Sequence, residues 1–203
     1  MCNNENVQTE SARARSTAET RARILDVALD LLGQNPDAGM GEIASAAGVV
    51  RRTVYGHFPS RTDLVRSLTQ RAAGEIAAVL TEVDASHGTV EAVWADFIAR
   101  LWPLTSRYRV LLSLRRGEYG AEIHSLLVPI DATLAELVQR GQDDGVFARH
   151  LPADLLSQVA FSTVFAIADR TLLPGTEGSR AATITSLLIL GVPEPRAQEL
   201  ASD

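Results

Sequence analysis

Apolar residues recur at intervals of three and four along nearly the whole chain, and no stretch bounded by turn residues alternates strictly enough to be a strand. That pattern predicts an all-α fold. With 203 residues, 46% of them apolar, the chain can build a true core and does not have the composition of a disordered protein.

Caps and breaks place the helices. Ser16 and Glu19 form an S-x-x-E capping box, and Ile24, Leu25, Ala28, Leu31 and Leu32 mark one apolar face that ends near Gln34, before Asn35-Pro36. Two short helices, Gly41 to Ala47 and Arg51 to His57, flank Gly48-Val49-Val50, and an S-x-x-D signal at Ser60 and Asp63 opens a long fourth helix reaching Asp84. A fifth helix from Thr89 buries Val93, Phe97 and Leu101, with Trp94 and Ile98 alongside, and should stop at Pro103. After a short helix from Arg107 to Arg116 comes the cleanest apolar stripe, Ile123, Leu126, Leu127, Ile130, Leu134, Leu137 and Val138, kinked at Pro129 and stopped at Gly145. Pro152 to Leu172 and Ser179 to Leu190 are the last helices. The implied organisation is a flexible leader (1–15), a helix-turn-helix domain (16–60), a larger helical domain (61–192) and a frayed tail (193–203).

Charge divides the chain. The net value of -6 argues against a nucleic-acid partner, but residues 13–71 carry nine Arg against six acids while residues 72–203 carry ten Arg against seventeen. The basic part is N-terminal. Every basic residue is Arg, whose planar fork suits phosphate and guanine, although a GC-rich coding bias accounts for the total more simply. The single cysteine, Cys2, excludes a disulfide-stapled scaffold and a Cys-rich zinc module. The first twenty residues lack the apolar run of a signal peptide, and the longest nearly apolar stretch, Val159–Ala168, is too short for a bilayer, so a cytoplasmic protein with no membrane partner is expected.

Residues 40–58, MGEIASAAGVVRRTVYGHF, have the build of a helix-turn-helix. Ala44 and Ala47 allow close crossing, Gly48 suits the positive φ of a tight turn, and Ile43, Val49, Val54 and Phe58 can fill a small core against Leu31 and Leu32. Arg51, Arg52, Thr53, Tyr55 and His57 are left to project outward. On a helix laid in the major groove, Arg51 and Arg52 are placed to read guanine or clamp phosphate, and Tyr55 can bond a phosphate. Ser60, Arg61 and Thr62 start the next helix, where free N–H groups favour an anion.

These residues resemble the TetR/AcrR family of ligand-responsive transcriptional repressors. The resemblance rests on Ile43-Ala44-x-x-Ala47-Gly48-Val49, Thr53-Val54-Tyr55-x-His57-Phe58 and Ser60-Arg61-x-x-Leu64, close to the family's IA..AGVS..TLY.HF.SK..L pattern. It implies that Thr53, Tyr55, His57 and Arg61 lie at the DNA backbone, and that Arg51 and Arg52 contribute to sequence choice. Three departures stand out: Val50 occupies the capping position usually held by Ser or Thr, Gly39-Met40-Gly41 offers no hydroxyl at the start of the preceding helix, and Arg61 replaces the common Lys, which keeps the charge.

The resemblance also implies the architecture beyond: the fourth helix joins the DNA-binding domain to a C-terminal regulatory domain that binds a small molecule and forms a homodimer. Phe161, Phe165, Leu187 and Leu188 are then the expected dimer anchors. Trp94, Phe97, Trp102, Tyr108, Leu111, His124, Phe165 and Asp169 are candidates to line the ligand pocket, although aromatics at helical spacing are more often plain core. The four histidines are scattered without ligand spacing, so neither a metal nor a cofactor is expected. Arg13, Arg15, Arg21 and Arg23 suggest a basic arm on DNA, against the plainer reading of a solvated helix entry. The expected partners are a palindromic double-stranded operator and a small-molecule effector.

Two other classes compete with this reading. An enzyme would need Ser113, Ser125, Asp131 and Glu122 assembled by an unfamiliar fold, and no catalytic signature supports that. A helical small-molecule carrier without DNA binding fits the acidic total but gives no reason to expose Arg51, Arg52, Tyr55 and Arg61 together.

Overall fold

The computed structural model describes residues 3–85, 88–168 and 175–202, and every regular element among them is helical. In chain order these are α1 (Asn3–Gln34), α2 (Met40–Ala46), α3 (Arg51–His57), α4 (Arg61–Asp84) and α5 (Val90–Arg107). They continue as α6 (Arg109–Arg115), α7 (Gly120–Asp143), α8 (Ala153–Ala168), α9 (Gly175–Ile189) and α10 (Glu194–Leu200). No helix among the described residues is long and apolar enough to cross a membrane. The chain forms two compact units, Met1–Leu68 and Thr69–Asp203.

In the first unit, the apolar face of α1 buries Ile24, Leu25, Ala28, Leu29 and Leu32, with Leu31 half-buried at its edge. Ile43 of α2, Val54 of α3 and Phe58 close the same core, each at most 1% exposed. Gly48 takes φ +66 in the turn between α2 and α3, a region that side chains rarely adopt. Its N–H donates to Ser45 O at 3.1 Å and that of Val49 to Ala44 O at 3.0 Å, so the end of α2 is satisfied inside the turn. Ser60 caps α4 as expected: its Oγ accepts from Asp63 N at 3.1 Å and donates to Asp63 Oδ2 at 2.7 Å.

The second unit is built on contacts of α7 with α8, α8 with α9 and α5 with α9. Its centre holds Trp94, Phe97, Ile98 and Leu101 of α5 against Leu134 and Val138 of α7, Leu156 and Val164 of α8 and Leu187 of α9. Trp94 is fully buried, and its indole N–H donates to Ser186 Oγ at 3.0 Å while Ser186 donates on to Thr183 O. The α7–α8 connection is tied down by Gln142, whose Nε2 donates to the carbonyls of Ala148 and Leu151. Close approach also dictates a glycine here, because a Cβ at Gly141 would sit 2.1 Å from Phe147 Cδ2.

Four boundaries differ from expectation, the simplest being α9, which begins at Gly175 rather than Ser179. α1 begins at Asn3 rather than Ser16, so Ser16 is an interior residue whose carbonyl accepts from Thr20 Oγ1, and residues 3–15 are helical rather than a loose leader. Pro103 lies inside α5 instead of ending it. It stands on the exposed side, where water can serve the carbonyl it leaves open, while buried Leu101, Trp102 and Thr105 hold the helix on the core. The tail forms α10, which buries Ala197 and joins Arg196 to Glu91 at 3.3 Å; its sequence lacks an apolar stripe because so small a helix docks through few residues.

Candidate nucleic-acid interface and ligand cavity

The outward face of α3 follows from what its inward face must do. Val54 is pinned in the core, and Phe58 just beyond the helix closes it, which turns Arg51, Arg52 and Tyr55 outward as exposed side chains, with Thr53 and His57 half-buried at the flanks. Arg51 folds back along the first turn of α2, so close that a Cβ on Gly41 would fall 2.5 Å from its Nη2. Arg52 makes no hydrogen bond or ion pair among the described residues. Val50 caps α3 with its backbone carbonyl only, accepting from Thr53 N at 2.9 Å, and its side chain is 66% exposed beside the two arginines.

Two basic residues have other duties. Arg61, expected on a phosphate, is half-buried and donates its two terminal amino groups to the carbonyls of Ala38 and Pro36 in the α1–α2 loop. Arg21, expected on a flexible arm, belongs to α1: it lies over the Phe58 ring at 5.0 Å and donates to Ser67 Oγ at 2.9 Å. The start of α2 carries its own acid, since Gly39 N–H donates to Glu42 Oε2 at 2.7 Å.

The second unit contains a small apolar cavity of about 60 Å³ with an open mouth. Helical spacing builds each wall: Thr69, Ala72 and Ile76 from α4, Leu111 and Leu112 from α6, Ile123 and Leu127 from α7, and Phe161 and Phe165 from α8. Of the pocket candidates, Tyr108, Leu111 and Phe165 reach this wall; Trp94, Phe97 and Trp102 are spent in the core and His124 is exposed. Asp169 lies outside the described residues. Phe161, expected at a dimer interface, is on the cavity wall, stacked on Phe97 at 6.0 Å and edge-on to Phe165 at 5.0 Å. Leu187 is likewise buried within its own chain, which leaves Leu188 as the exposed leucine of that pair on α9, while α8 exposes Leu155 and Val159.

Polar side chains on the wall are Thr69, Arg115, Gln158 and Ser162, together with Tyr108 and Asp131. Tyr108 donates its hydroxyl to Glu75 Oε1 at 2.7 Å and accepts from Arg71 Nε at 3.1 Å; burial and the Glu75 bond push the phenol above its usual pKa. Asp131 extends the Ile123–Leu127 stripe by one more turn and has no hydrogen-bond or ion-pair partner among the described residues. Burial raises its carboxyl above the usual range, with Arg115 and His124 pulling the other way. Asp131 was overlooked as a pocket residue, yet the signal is in the sequence: an acid standing where the stripe calls for an apolar side chain.

A helix-turn-helix unit followed by a helical unit with an apolar cavity defines a class, and comparison with known proteins places the chain within it. The profile for "Bacterial regulatory proteins, tetR family" matches residues 24–68. The HTH-type transcriptional regulator AcrR of Shigella flexneri is 41% identical over 154 residues, covering 70% of this chain and 71% of that protein. The HTH-type transcriptional repressor LfrR of Mycolicibacterium smegmatis is 39% identical over 82 residues, which are 40% of this chain and 43% of LfrR, so this match spans less than half of that relative. The crystal structure of LfrR in complex with proflavine superposes with a TM-score of 0.67 at 27% identity, covering 86% of this chain and 96% of that one. The chain belongs to the tetR family of bacterial regulatory proteins.

Proposed function

We propose that this protein is a homodimeric transcriptional repressor that reads a palindromic operator and leaves it when a small molecule occupies the cavity. The observation that carries the reading is the face of α3, where Arg51, Arg52 and Tyr55 stand exposed around a helix held by Val54. Two such helices in successive major grooves need half-sites about one helical turn, roughly 34 Å, apart. In this reading Arg51 and Arg52 choose sequence, Thr53, Tyr55 and His57 meet the backbone, and Arg61 acts by holding the α1–α2 loop.

Residues of the second unit supply the effector site and the dimer face. The exposed apolar residues Leu155, Val159 and Leu188 on adjoining α8 and α9 replace Phe161 and Leu187 as the anchors we assign to the interface. α4 contributes Thr69, Ala72 and Ile76 to the cavity wall and begins at Arg61, so one helix touches both tasks. A coupling of about 1–3 kcal/mol between effector and operator is enough for derepression. The LfrR complex with proflavine supports a cavity of this kind as a small-molecule site.

Fluorescence anisotropy tests the proposal, using labelled duplex from the intergenic DNA beside the protein's own gene against a scrambled duplex at matched salt. Preference for the native duplex is expected. Failure to bind either duplex at low salt favours the carrier reading.

A further inference from the structure

Val50 is out of place twice over. Preceding α3, it has the extended backbone of a cap, yet its side chain carries no oxygen and only its carbonyl bonds the helix. It is also 66% exposed, more than any other large apolar side chain among the described residues, whereas its neighbour Val49 is half-buried. The valine therefore neither fills the core nor caps the helix. A solvent-facing apolar residue standing alone is ordinary, but this one is contiguous with exposed Arg51 and Arg52. One helical turn beyond Arg52 comes Gly56, also exposed, with nothing within 4 Å of where a Cβ would stand. No neighbour in the chain calls for a glycine there, and the bare backbone lets a large surface come close to α3.

Resting on the reading of α3 as the operator-binding helix, we propose that Val50 is a specificity-determining residue that reads a thymine by its 5-methyl group, in the same half-site as the guanine met by Arg51 or Arg52. The major-groove edges of base pairs are made of hydrogen-bond donors and acceptors, with one apolar exception, the thymine methyl. An aliphatic side chain has no bond to offer a phosphate, a guanine or a cytosine amino group. Against the methyl, it takes apolar surface of both partners out of water. A serine at this position would bond the open N–H groups of α3 or a phosphate oxygen. Valine forgoes both and gains only where a methyl meets it.

Duplexes enriched from a random-sequence pool by the full-length protein supply the probe. Each thymine of one half-site is replaced in turn by deoxyuridine, which removes the methyl and keeps every hydrogen-bonding group. Anisotropy should show one thymine at which the change weakens binding about fourfold, as expected for one methyl taken out of water. Val50→Ala should bind the thymine and deoxyuridine duplexes equally, and the latter as tightly as the wild type does, which also reports that the variant is folded. Val50→Ile, which keeps the branched carbons, should keep the discrimination. No sensitivity at any thymine, or a penalty that persists in Val50→Ala, overturns the role of Val50 while leaving α3 as the reading helix. If no sequence is enriched, or if Arg51→Ala and Arg52→Ala bind the enriched duplex unchanged, the reading of α3 fails with the proposal.

Discussion

Arg61 donates from its guanidinium to the main-chain carbonyl of Ala38, twenty-three residues earlier in the chain, and with its other amino group to Pro36. Ala38 is fully buried and immediately precedes the cap of α2, so the pair fixes where α2 begins. The planar fork suits this role, since its two terminal amino groups reach two separate carbonyls at once, whereas an ammonium offers its three donors from a single nitrogen. The contact converts a residue that reads as a phosphate ligand in sequence into a brace for the helix-turn-helix.

Arg61→Lys and Arg61→Ala should therefore both destabilise the protein, by about 1–3 kcal/mol for loss of charge-assisted bonds to the carbonyls of buried Ala38 and exposed Pro36. Urea unfolding measures this. The salt dependence of duplex binding should keep its slope in Arg61→Ala, because no phosphate contact is removed. A shallower slope with unchanged stability would restore the phosphate role.

Arg51→Ala and Arg52→Ala should act differently. Each is expected to lose about 1–3 kcal/mol of discrimination between the native and scrambled duplex, with the protein still folded. Anisotropy on both duplexes, beside circular dichroism, separates lost reading from lost structure. Arg51 carries a second check: Gly41→Ala drives a methyl into its guanidinium and should perturb duplex preference by displacing Arg51 without removing any side chain proposed to face DNA.

Val50→Ser should stabilise the protein. Val50 has the extended φ of -76 and ψ of 150 that a cap needs but no oxygen to bond the open N–H groups of α3. A hydroxyl there is worth about 1 kcal/mol, readable as a higher urea midpoint with an unchanged m-value.

Asp131→Asn should raise thermal stability at neutral pH. Burial lifts the folded-state pKa of Asp131 above the model-compound 3.8, while Arg115 and His124 oppose the rise. Below 3.8 the carboxyl is protonated in both states and the group is neutral to stability. As pH rises through that value the unfolded chain ionises first, so stability falls until the folded-state pKa is passed and the deficit then stays constant. Unfolding of both proteins across this range should show the advantage of the Asn variant growing with pH from near zero. An advantage independent of pH would mean that the gain comes from packing.

Much of this was legible in residue order because it depends on local spacing. Helical period, the Ser60–Asp63 cap, the bounds of α3 and the need for glycine at position 48 are decided within a few residues of one another. The outward set on α3 follows as soon as Val54 and Phe58 are known to face in. What could not be read there depends on partners distant in sequence: which acceptors Arg61 and Arg21 find, and whether Phe161 faces a cavity or a second chain. A side chain's type states what it can bond or bury, but not which of several suitable neighbours the packing brings within reach. That is why the sequence alone determined the family, the helices and the outward face of α3, while tertiary structure decided that Arg61 bonds the α1–α2 loop, that Phe161 of α8 lies on a cavity wall, and that Asp131 joins the same wall without a hydrogen bond or ion pair among the described residues.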